Sequence, residues 1–188
     1  MSNHAKPVPF LVLSGPPAVG KTTVSWEIFD QLVDEGHQPA LVDIDLLGAC
    51  WPVPDDDPYN ERLKARNLTS VWQNFQRAGA RCLIAAGVIE NRDGLAMYAA
   101  AIPGAVTALC RLTAGGDELR SRIVRRGRER GDGIEKLHRR AIQLSHELEQ
   151  NDCADFWINT DDRSIPDVAK LVRARAGGWP RQVSGKTS

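Results

Sequence analysis

The stretch that most constrains this chain is GPPAVGKTT, residues 15–23. It fits the pattern G-x-x-x-x-G-K-[ST], with Gly15, Gly20, Lys21 and Thr22 in the fixed places. This pattern is typical of a loop that binds phosphates between a strand and a helix. A short apolar run precedes the loop and a long amphipathic stretch follows it, as that arrangement requires. The loop therefore predicts nucleotide binding, but it leaves open whether the nucleotide is hydrolysed, acts in a switch or donates a phosphoryl group.

The residue types in the loop suit this chemistry. Glycines allow backbone N–H groups to face the phosphates. Lys21 would supply charge at the β- and γ-phosphates, and Thr22 a hydroxyl to Mg²⁺. The helix that begins at Lys21 would point the positive end of its dipole at the same place. The predicted nucleotide ligands are Gly15, Pro16, Pro17, Ala18, Val19, Gly20, Lys21, Thr22 and Thr23.

Composition narrows the class of protein. The chain has 188 residues, enough for one domain with a core, and 24 Lys and Arg balance 24 Asp and Glu. This neutral charge gives no support for a nucleic-acid or anionic-membrane partner, and no apolar run approaches the length of a membrane span. The first residues lack an apolar signal core, and the four cysteines show no C-x-x-C spacing. We therefore expect reduced thiols in a cytoplasmic protein.

Apolar runs and amphipathic stretches alternate along the chain, which predicts strands that alternate with helices. The predicted strands are residues 10–14, 39–45, 81–87, 105–112 and 155–159. The predicted helices are residues 21–35, 60–78 and 93–101, a basic helix opened by Asp117 and Glu118, 134–150 and 165–175. We expect one domain over residues 9–175, with flexible tails at 1–8 and 177–188. The SGKTS in the second tail has neither a strand before it nor a helix after it, so it is not expected to bind phosphate.

The predicted strands are apolar on both faces, which is typical of a parallel sheet covered by helices on two sides. Ligands of such folds bind at the carboxyl ends of the strands. The phosphate loop follows the first strand there, and Asp43 and Asp45 end the second strand. The loop and these two carboxylates are therefore expected to meet in one cleft.

Asp43 and Asp45 are separated by one residue, so on a strand their carboxylates would project the same way. One could orient Mg²⁺ through water, and the other could accept the proton of an attacking hydroxyl. The alternative is an ordinary solvated turn. We favour the functional interpretation because the pair follows a phosphate loop and one helix.

Two other classes of phosphate-loop protein carry motifs that this sequence does not support. The guanine-reading N-K-x-D of GTPase switches is absent, and D-x-x-G is matched only by the short stretch from Asp45 to Gly48. Large ATPase motors end an apolar strand in an Asp that holds Mg²⁺, whereas the third predicted strand runs into IAAGVIEN. These differences favour a kinase.

The stretches GPPAVGKTT, VDIDLLG, the Arg-rich helix and DFWINTDDRSIPDVAKLV together resemble the P-loop small-molecule kinases. That family includes shikimate kinase, gluconate kinase, adenylylsulfate kinase and chloramphenicol phosphotransferase. The resemblance covers most of residues 9–175 and implies an α/β P-loop NTPase fold. This fold has a five-stranded parallel sheet of order 2-3-1-4-5, helices on both faces and a short Arg-rich lid. The resemblance also implies the use of ATP and Mg²⁺.

The resemblance assigns contact with the acceptor hydroxyl to Asp45 and contact with Mg²⁺ or its water to Asp43. It also implies that Arg122 could stack on adenine, and that Asn159 and Thr160 lie where the family holds the adenine edge. The shikimate-type glycine run after the third strand and the D-G-F-P-R of monophosphate kinases are both absent. Neither of those substrates is therefore implied.

Charge is segregated along the chain. Residues 111–140 hold ten Lys or Arg against five Asp or Glu, whereas residues 42–61 hold six acids and no Lys or Arg. The basic stretch runs into RGRERGDG, whose glycines suit a mobile lid. Arg126, Arg128 and Arg130 are candidates to close over the γ-phosphate and stabilise its charge during transfer. A solvated basic face is the alternative.

Residues 46–80 join the second and third strands and would cover the acceptor site. Trp51 could stack on a ring or sugar face, and Arg62 and Asn67 could hydrogen-bond a polar acceptor. Arg92 follows the third strand at the cleft edge and is a candidate for an anionic or polar group. Tyr59 and Trp72 could also stack, with burial in the core as the alternative for Trp72. The run Asp55-Asp56-Asp57 between two prolines is expected to be a solvated loop.

The sequence therefore predicts an ATP-dependent phosphotransferase that acts on a hydroxyl of a small molecule, with a nucleotide and that acceptor as its partners. A nucleoside or nucleotide kinase is one alternative, and an ATP-binding regulatory module or ATPase without transfer is another. A kinase acting on nucleic-acid ends would need a basic groove beside the cleft, for which the neutral charge gives no support. The identity of the acceptor and the oligomeric state stay open.

Overall fold

The computed structural model describes residues 7–151 and 153–180. Within these ranges the chain forms five strands and seven helices. The strands are β1 (Val8–Ser14), β2 (Pro39–Asp43), β3 (Cys82–Ala86), β4 (Ala105–Thr113) and β5 (Phe156–Asn159). The helices are α1 (Lys21–Asp34), α2 (Ile44–Leu47), α3 (Glu61–Arg77), α4 (Arg92–Ala100), α5 (Gly116–Arg126), α6 (Asp132–Asn151) and α7 (Ile165–Arg175). In this described part of the chain, each helix is too short or too polar to cross a membrane.

All five strands pair in parallel, in the order β2-β3-β1-β4-β5. This confirms the predicted P-loop NTPase sheet. Leu13 pairs with Ala86, the last residue of β3, and with Cys110 of β4. The strands β1 and β3 therefore end within one residue of each other, and β4 runs two residues beyond the partner of Ser14. The chain order changes direction at β1, and such a switch point opens a crevice at the carboxyl ends of the strands. The phosphate loop leaves β1 into that crevice.

The two faces of the sheet bury separate apolar layers. Leu11 and Leu13 face α1 and α7, while Phe10 and Val12 face the layer that contains α3 and α4. This alternation along β1 explains why the strand is apolar on both faces, because helices cover both of them. Trp72 of α3 lies in the second layer and is fully buried. Its ring therefore packs in the core and does not reach the acceptor cleft.

The start of α3 corrects the expectation of a solvated acidic loop. Asp57 is buried, and its carboxylate accepts hydrogen bonds from the backbone N–H groups of Glu61 at 2.7 Å and Arg62 at 3.0 Å. These N–H groups lie in the first turn of the helix, where no backbone carbonyl can receive them. Asp55 and Asp56 are exposed, as expected.

Both ends of the domain extend beyond the boundaries expected from the sequence. Val8 already belongs to β1 and is buried. Trp179 is buried too, and it exchanges hydrogen bonds with Arg173: its N–H donates to the Arg173 carbonyl at 3.0 Å, and Arg173 Nε donates to its carbonyl at 3.1 Å. Two glycines precede Trp179, and this composition is typical of a flexible tail, so it did not predict the packing. Residues 1–6 and 181–188, which include SGKTS, lie outside the described residues.

Candidate active site

The phosphate loop joins β1 to α1 in a tightly packed turn. Gly15 has a φ of 147°, and a Cβ there would lie 2.5 Å from the carbonyl oxygen of Leu112 on β4. Only glycine fits this position without moving β4. Ala18 has a φ of 64°, a left-handed conformation that costs energy for a residue with a side chain. Such conformations cluster at ligand-binding loops, which fits the predicted phosphate site.

The amino end of α1 is open toward this loop. Gly20 precedes the helix with a φ of 106°, no side chain among the described residues caps it, and its first turn holds no acidic residue. The N–H groups of a first helical turn have no partner inside the helix, and the helix dipole favours an anion beside them. This end of α1 therefore suits a phosphate group.

Lys21 folds back over the loop. Its Nζ donates to the carbonyl oxygens of Gly15 at 2.8 Å and Pro16 at 3.0 Å. Burial lowers the pKa of Lys21 to about 8, Asp45 and Asp43 oppose that change, and Arg126 adds to it. The lysine thus lies within electrostatic range of both carboxylates and of the end of α5.

The second strand ends earlier than the sequence predicted. β2 stops at Asp43, and Asp45 lies in α2, a single helical turn. The reason is local: Asp43 Oδ1 accepts the backbone N–H of Asp45 at 3.1 Å, which caps the turn. The two carboxylates therefore do not project as alternate side chains of one strand. They still lie together at the cleft, and Asp43 Oδ2 accepts the Thr22 hydroxyl at 3.4 Å.

Charges of both signs act on the Asp45 carboxylate. Desolvation in the cleft is the largest cause that raises its pKa, and Asp43 and Glu61 add to this effect. Lys64 and Lys21 oppose it. Lys64 Nζ lies 3.8 Å from Asp45 Oδ1, so α3 places a positive charge beside this carboxylate.

Lys64 belongs to a chain of polar contacts beneath α2. Its Nζ lies 2.7 Å from Glu61 Oε1, and the other oxygen of Glu61 accepts the hydroxyl of Tyr98 from α4. Tyr98 is buried, and desolvation together with the Glu61 carboxylate raises the pKa of its hydroxyl. The stem of Lys64 packs against Gly48, where a Cβ would come within 2.7 Å of its Cγ and Cε atoms. Together these contacts connect Asp45 to the core.

Two asparagines hold the segment that follows α2. Asn60 is buried and donates from Nδ2 to the carbonyls of Gly48 at 3.0 Å and Cys50 at 3.1 Å. Asn67 donates to the carbonyl of Leu47 at 2.8 Å. The amide of Asn67 therefore bonds to the backbone in this structure, whereas the sequence predicted a contact with the acceptor.

The other predicted acceptor residues differ in their surroundings. Trp51 is 85% exposed, on the segment that Asn60 holds. Arg62 Nη2 lies 2.8 Å from Asp56 Oδ2, and its Nε lies 3.6 Å from Asp57 Oδ2. Arg92 is exposed at the first position of α4. Trp51 and Arg92 are thus open to solvent, whereas the guanidinium of Arg62 has carboxylate partners.

Arg122 ties the phosphate loop to the loop after β5. Its Nη1 donates to the Val19 carbonyl at 3.1 Å and to Thr160 Oγ1 at 2.8 Å, and its Nη2 donates to the Thr160 carbonyl at 3.0 Å. Its Nε pairs with Glu118 at 2.7 Å. Thr160 is buried, while Asn159 beside it is exposed and bonds with Asp161. The structure therefore brings Arg122 and Thr160 next to the phosphate loop, whereas Asn159 is exposed beside them.

The predicted lid residues lie at and beyond the end of α5. Arg126 is the last residue of that helix, Gly127 follows with a φ of 64°, and Arg128 lies in the connection to α6. Both arginines are exposed. Arg126 is close enough to Lys21 for its charge to lower the pKa of that lysine.

The sequence patterns did not identify Glu61, Lys64 and Tyr98 as part of the surroundings of Asp45. The pair Glu61 and Lys64 is spaced i, i+3 at the start of a predicted helix, which is a recognisable signal for a shared helix face. The contact with Tyr98 spans 37 positions and leaves no local signal.

The donors at the cleft fit MgATP. The Thr22 hydroxyl and the Asp43 carboxylate are hard oxygen ligands of the kind Mg²⁺ takes. Among the described residues no cluster of three His, Cys, Asp or Glu could hold a metal by itself. This suits Mg²⁺, which typically binds to one or two protein oxygens together with substrate phosphates and water. The open end of α1 and the Lys21 amine suit the phosphates.

No protein-family model matches the sequence, and no curated protein matches it. Solved structures do match. A shikimate kinase from Bacteroides thetaiotaomicron superposes with a TM-score of 0.63 at 16% identity, over 89% of this chain and 98% of that one. A gluconokinase from Sinorhizobium meliloti gives 0.61 at 14% identity, over 92% and 94%. The tunicamycin resistance protein of Deinococcus radiodurans gives 0.61 at 18% identity, over 90% and 96%. At these identities the likeness shows the fold, which is that of the P-loop small-molecule kinases.

Proposed function

We propose that this protein transfers the γ-phosphoryl group of MgATP to a hydroxyl group of a small molecule. The observation that carries the proposal is the meeting of the Lys21 ammonium, the Thr22–Asp43 oxygen pair and the Asp45 carboxylate at one sheet edge. A phosphate loop alone would serve hydrolysis equally well. A second carboxylate, separate from the one beside Thr22, suits an acceptor hydroxyl.

Each residue has a role in the proposed transfer. Lys21 and the amino end of α1 bind and orient the phosphates, and Thr22 and Asp43 hold Mg²⁺, which neutralises phosphate charge when bound. The acceptor oxygen forms a bond to the γ-phosphorus while the bond to the β-phosphate oxygen breaks and ADP leaves. Asp45 takes the hydroxyl proton, a contribution of about a hundredfold or more to such reactions.

The Asp45→Asn variant tests this proposal, because it keeps the shape of the side chain and removes the proton acceptor. The purified protein is first screened with ATP against a library of hydroxyl compounds, with phosphorylated products detected by mass. We expect Asp45→Asn to bind MgATP and keep any slow background hydrolysis. We expect its transfer to the acceptor to fall by about a hundredfold or more. Asp55→Asn is the matched control, since Asp55 is an exposed acid of the same segment.

Full transfer by Asp45→Asn would contradict the role of Asp45. ATP turnover with no product from any compound would favour the regulatory module or ATPase instead. Transfer confined to nucleosides or nucleotides would favour the nucleotide-kinase alternative.

A further inference from the structure

This inference rests on the proposed function and concerns the acceptor. The chain around Asp45 is acidic: residues 42–64 hold six Asp or Glu and two Lys or Arg, a formal charge of −4. An anionic acceptor would have to bring its own negative charge beside Asp45, which already lies within electrostatic range of the Asp43 and Glu61 carboxylates. Like charges this close in a partly desolvated cleft repel each other more strongly than in water.

The two basic side chains of this stretch are already paired. Lys64 is only 12% exposed and lies between Glu61, at 2.7 Å, and Asp45, at 3.8 Å. Arg62 is directed to Asp56 at 2.8 Å and Asp57 at 3.6 Å. An acceptor carboxylate or phosphate that recruited either cation would have to displace a protein carboxylate and leave it unpaired.

The same segment exposes large apolar side chains. Leu46 follows Asp45 directly, Trp51 and Tyr59 lie further along, and all three are more than half exposed. Asn60 donates to the carbonyls of Gly48 and Cys50, which draws the two ends of the segment together. Exposed apolar groups gathered on one segment beside a polar cleft mark a binding surface for a partly apolar ligand.

We propose that the acceptor is an alcohol without negative charge that carries an aromatic or other apolar part. The apolar part contacts Trp51, Tyr59 or Leu46, and the hydroxyl reaches Asp45. Two other exposed basic residues are candidates to serve an anionic acceptor: Arg66 of α3, one turn beyond Arg62, and Arg92 at the start of α4. Binding of an anionic acceptor by Arg66 or Arg92 is the competing outcome.

Matched pairs of acceptors test the proposal: aryl and cyclic hydroxy acids, each beside its uncharged methyl ester or amide. The full chain is assayed for phosphoryl transfer from ATP at low and at moderate salt. We expect the uncharged member of each pair to have at least a tenfold higher kcat/KM. We also expect salt to narrow the gap, because it screens repulsion. Trp51→Ala should raise KM for aryl alcohols severalfold, while Trp26→Ala, on α1 beside the amino end of β2, should not.

Equal use of both members of a pair would overturn the proposal. So would preference for the acids, and loss of that preference in Arg66→Gln or Arg92→Gln would identify the cation responsible. Both results leave the proposed phosphotransferase intact. ATP turnover without transfer to any compound overturns the phosphotransferase itself, and this inference with it.

Discussion

The two sides of the cleft use their cations in different ways. On the nucleotide side, which comprises the phosphate loop with Arg122 and Thr160, Lys21 donates to two backbone carbonyls. Arg122 pairs with Glu118 through Nε, while its Nη atoms donate to the Val19 carbonyl and to Thr160. On the acceptor side, residues 43–64 with Tyr98, the cations are paired with carboxylates. Phosphates can take the place of neutral carbonyls at little cost. Displacing a carboxylate from its cation leaves a charge unpaired.

Under the proposed function, this difference would separate affinity for the nucleotide from choice of the acceptor. The phosphate loop is nine consecutive residues that include the start of one helix, so the part of the nucleotide side that holds Lys21 is local. The acceptor side depends on contacts between α2, α3 and α4. Changes in α3 could therefore alter the acceptor while ATP binding persists. Substitutions on the two sides of the cleft test this separation, from the largest expected effect to the smallest.

The largest effect is expected from Lys21→Ala on the nucleotide side. Lys21 lies on the loop and contributes no apolar surface to the core, so the fold should survive. We expect kcat/KM for ATP to fall by about a hundredfold or more, because a preorganised donor to the phosphates is lost. Steady-state kinetics measure kcat/KM, and circular dichroism shows whether the variant is folded. Lys170→Ala, an exposed lysine of α7, is the control. Normal turnover with an intact fold would remove Lys21 from the site.

Arg126→Ala and Arg128→Ala should have a smaller effect of a different kind. Charge on the transferred group redistributes in the transition state, so we expect kcat to fall by roughly tenfold to a hundredfold. The Kd of a non-hydrolysable ATP analogue should change little. Arg125→Ala, a neighbouring exposed arginine, should leave both unchanged. If both lid variants lose nucleotide affinity alone, these arginines bind the ground state.

Lys64→Met and Arg62→Met form a matched pair on the acceptor side. Lys64 is nearly buried between two carboxylates, whereas Arg62 is 56% exposed and bridges to an exposed acid. We expect Lys64→Met to lower the free energy of unfolding by about 1–3 kcal/mol, since Glu61 and Asp45 lose their common partner. Arg62→Met should cost less than about 1 kcal/mol, as exposed ion pairs do. Urea unfolding measures both, and equal losses would show that the Lys64 contacts carry no special weight.

An effect smaller than that of Lys64→Met is expected from Asp57→Ala. The variant removes the carboxylate that accepts two N–H groups at the start of α3, a loss worth about 1 kcal/mol of unfolding free energy. Loosening this end of α3 should raise KM for the acceptor and leave nucleotide Kd unchanged. Asp55→Ala is the control, because Asp55 is exposed. A parallel loss of nucleotide affinity would contradict the separation of the two sides.

The strands and the phosphate loop could be predicted because each rests on a local pattern, whereas the strand order came from the resemblance to the P-loop small-molecule kinases. Apolar runs gave the strands, and the fixed spacing of Gly15, Gly20 and Lys21 gave the loop. Asp45 was assigned to a strand because D-x-D satisfies period two, but the same residues also satisfy a capped helical turn. Asp43 Oδ1 accepting the Asp45 N–H decides between them, and propensity alone could not.

The acceptor side was harder to predict because its contacts are long-range. The run of three aspartates suggests a solvated loop by composition, yet the third of them is buried at the start of α3. Asn67 has the donors a ligand could use, but the Leu47 carbonyl, 20 positions away, takes one of them. Polar side chains in a connecting segment can serve a ligand or the backbone, and composition does not distinguish these uses.

The close packing of Gly48 against Lys64 implies a rule for how this sequence can diverge. A side chain at position 48 would collide with the lysine stem, so the two positions should vary together among proteins that share this arrangement. A relative that keeps the lysine should keep the glycine, and one with a larger residue at 48 should carry a shorter side chain at 64. Such paired change would mark lineages that rebuilt the surroundings of Asp45.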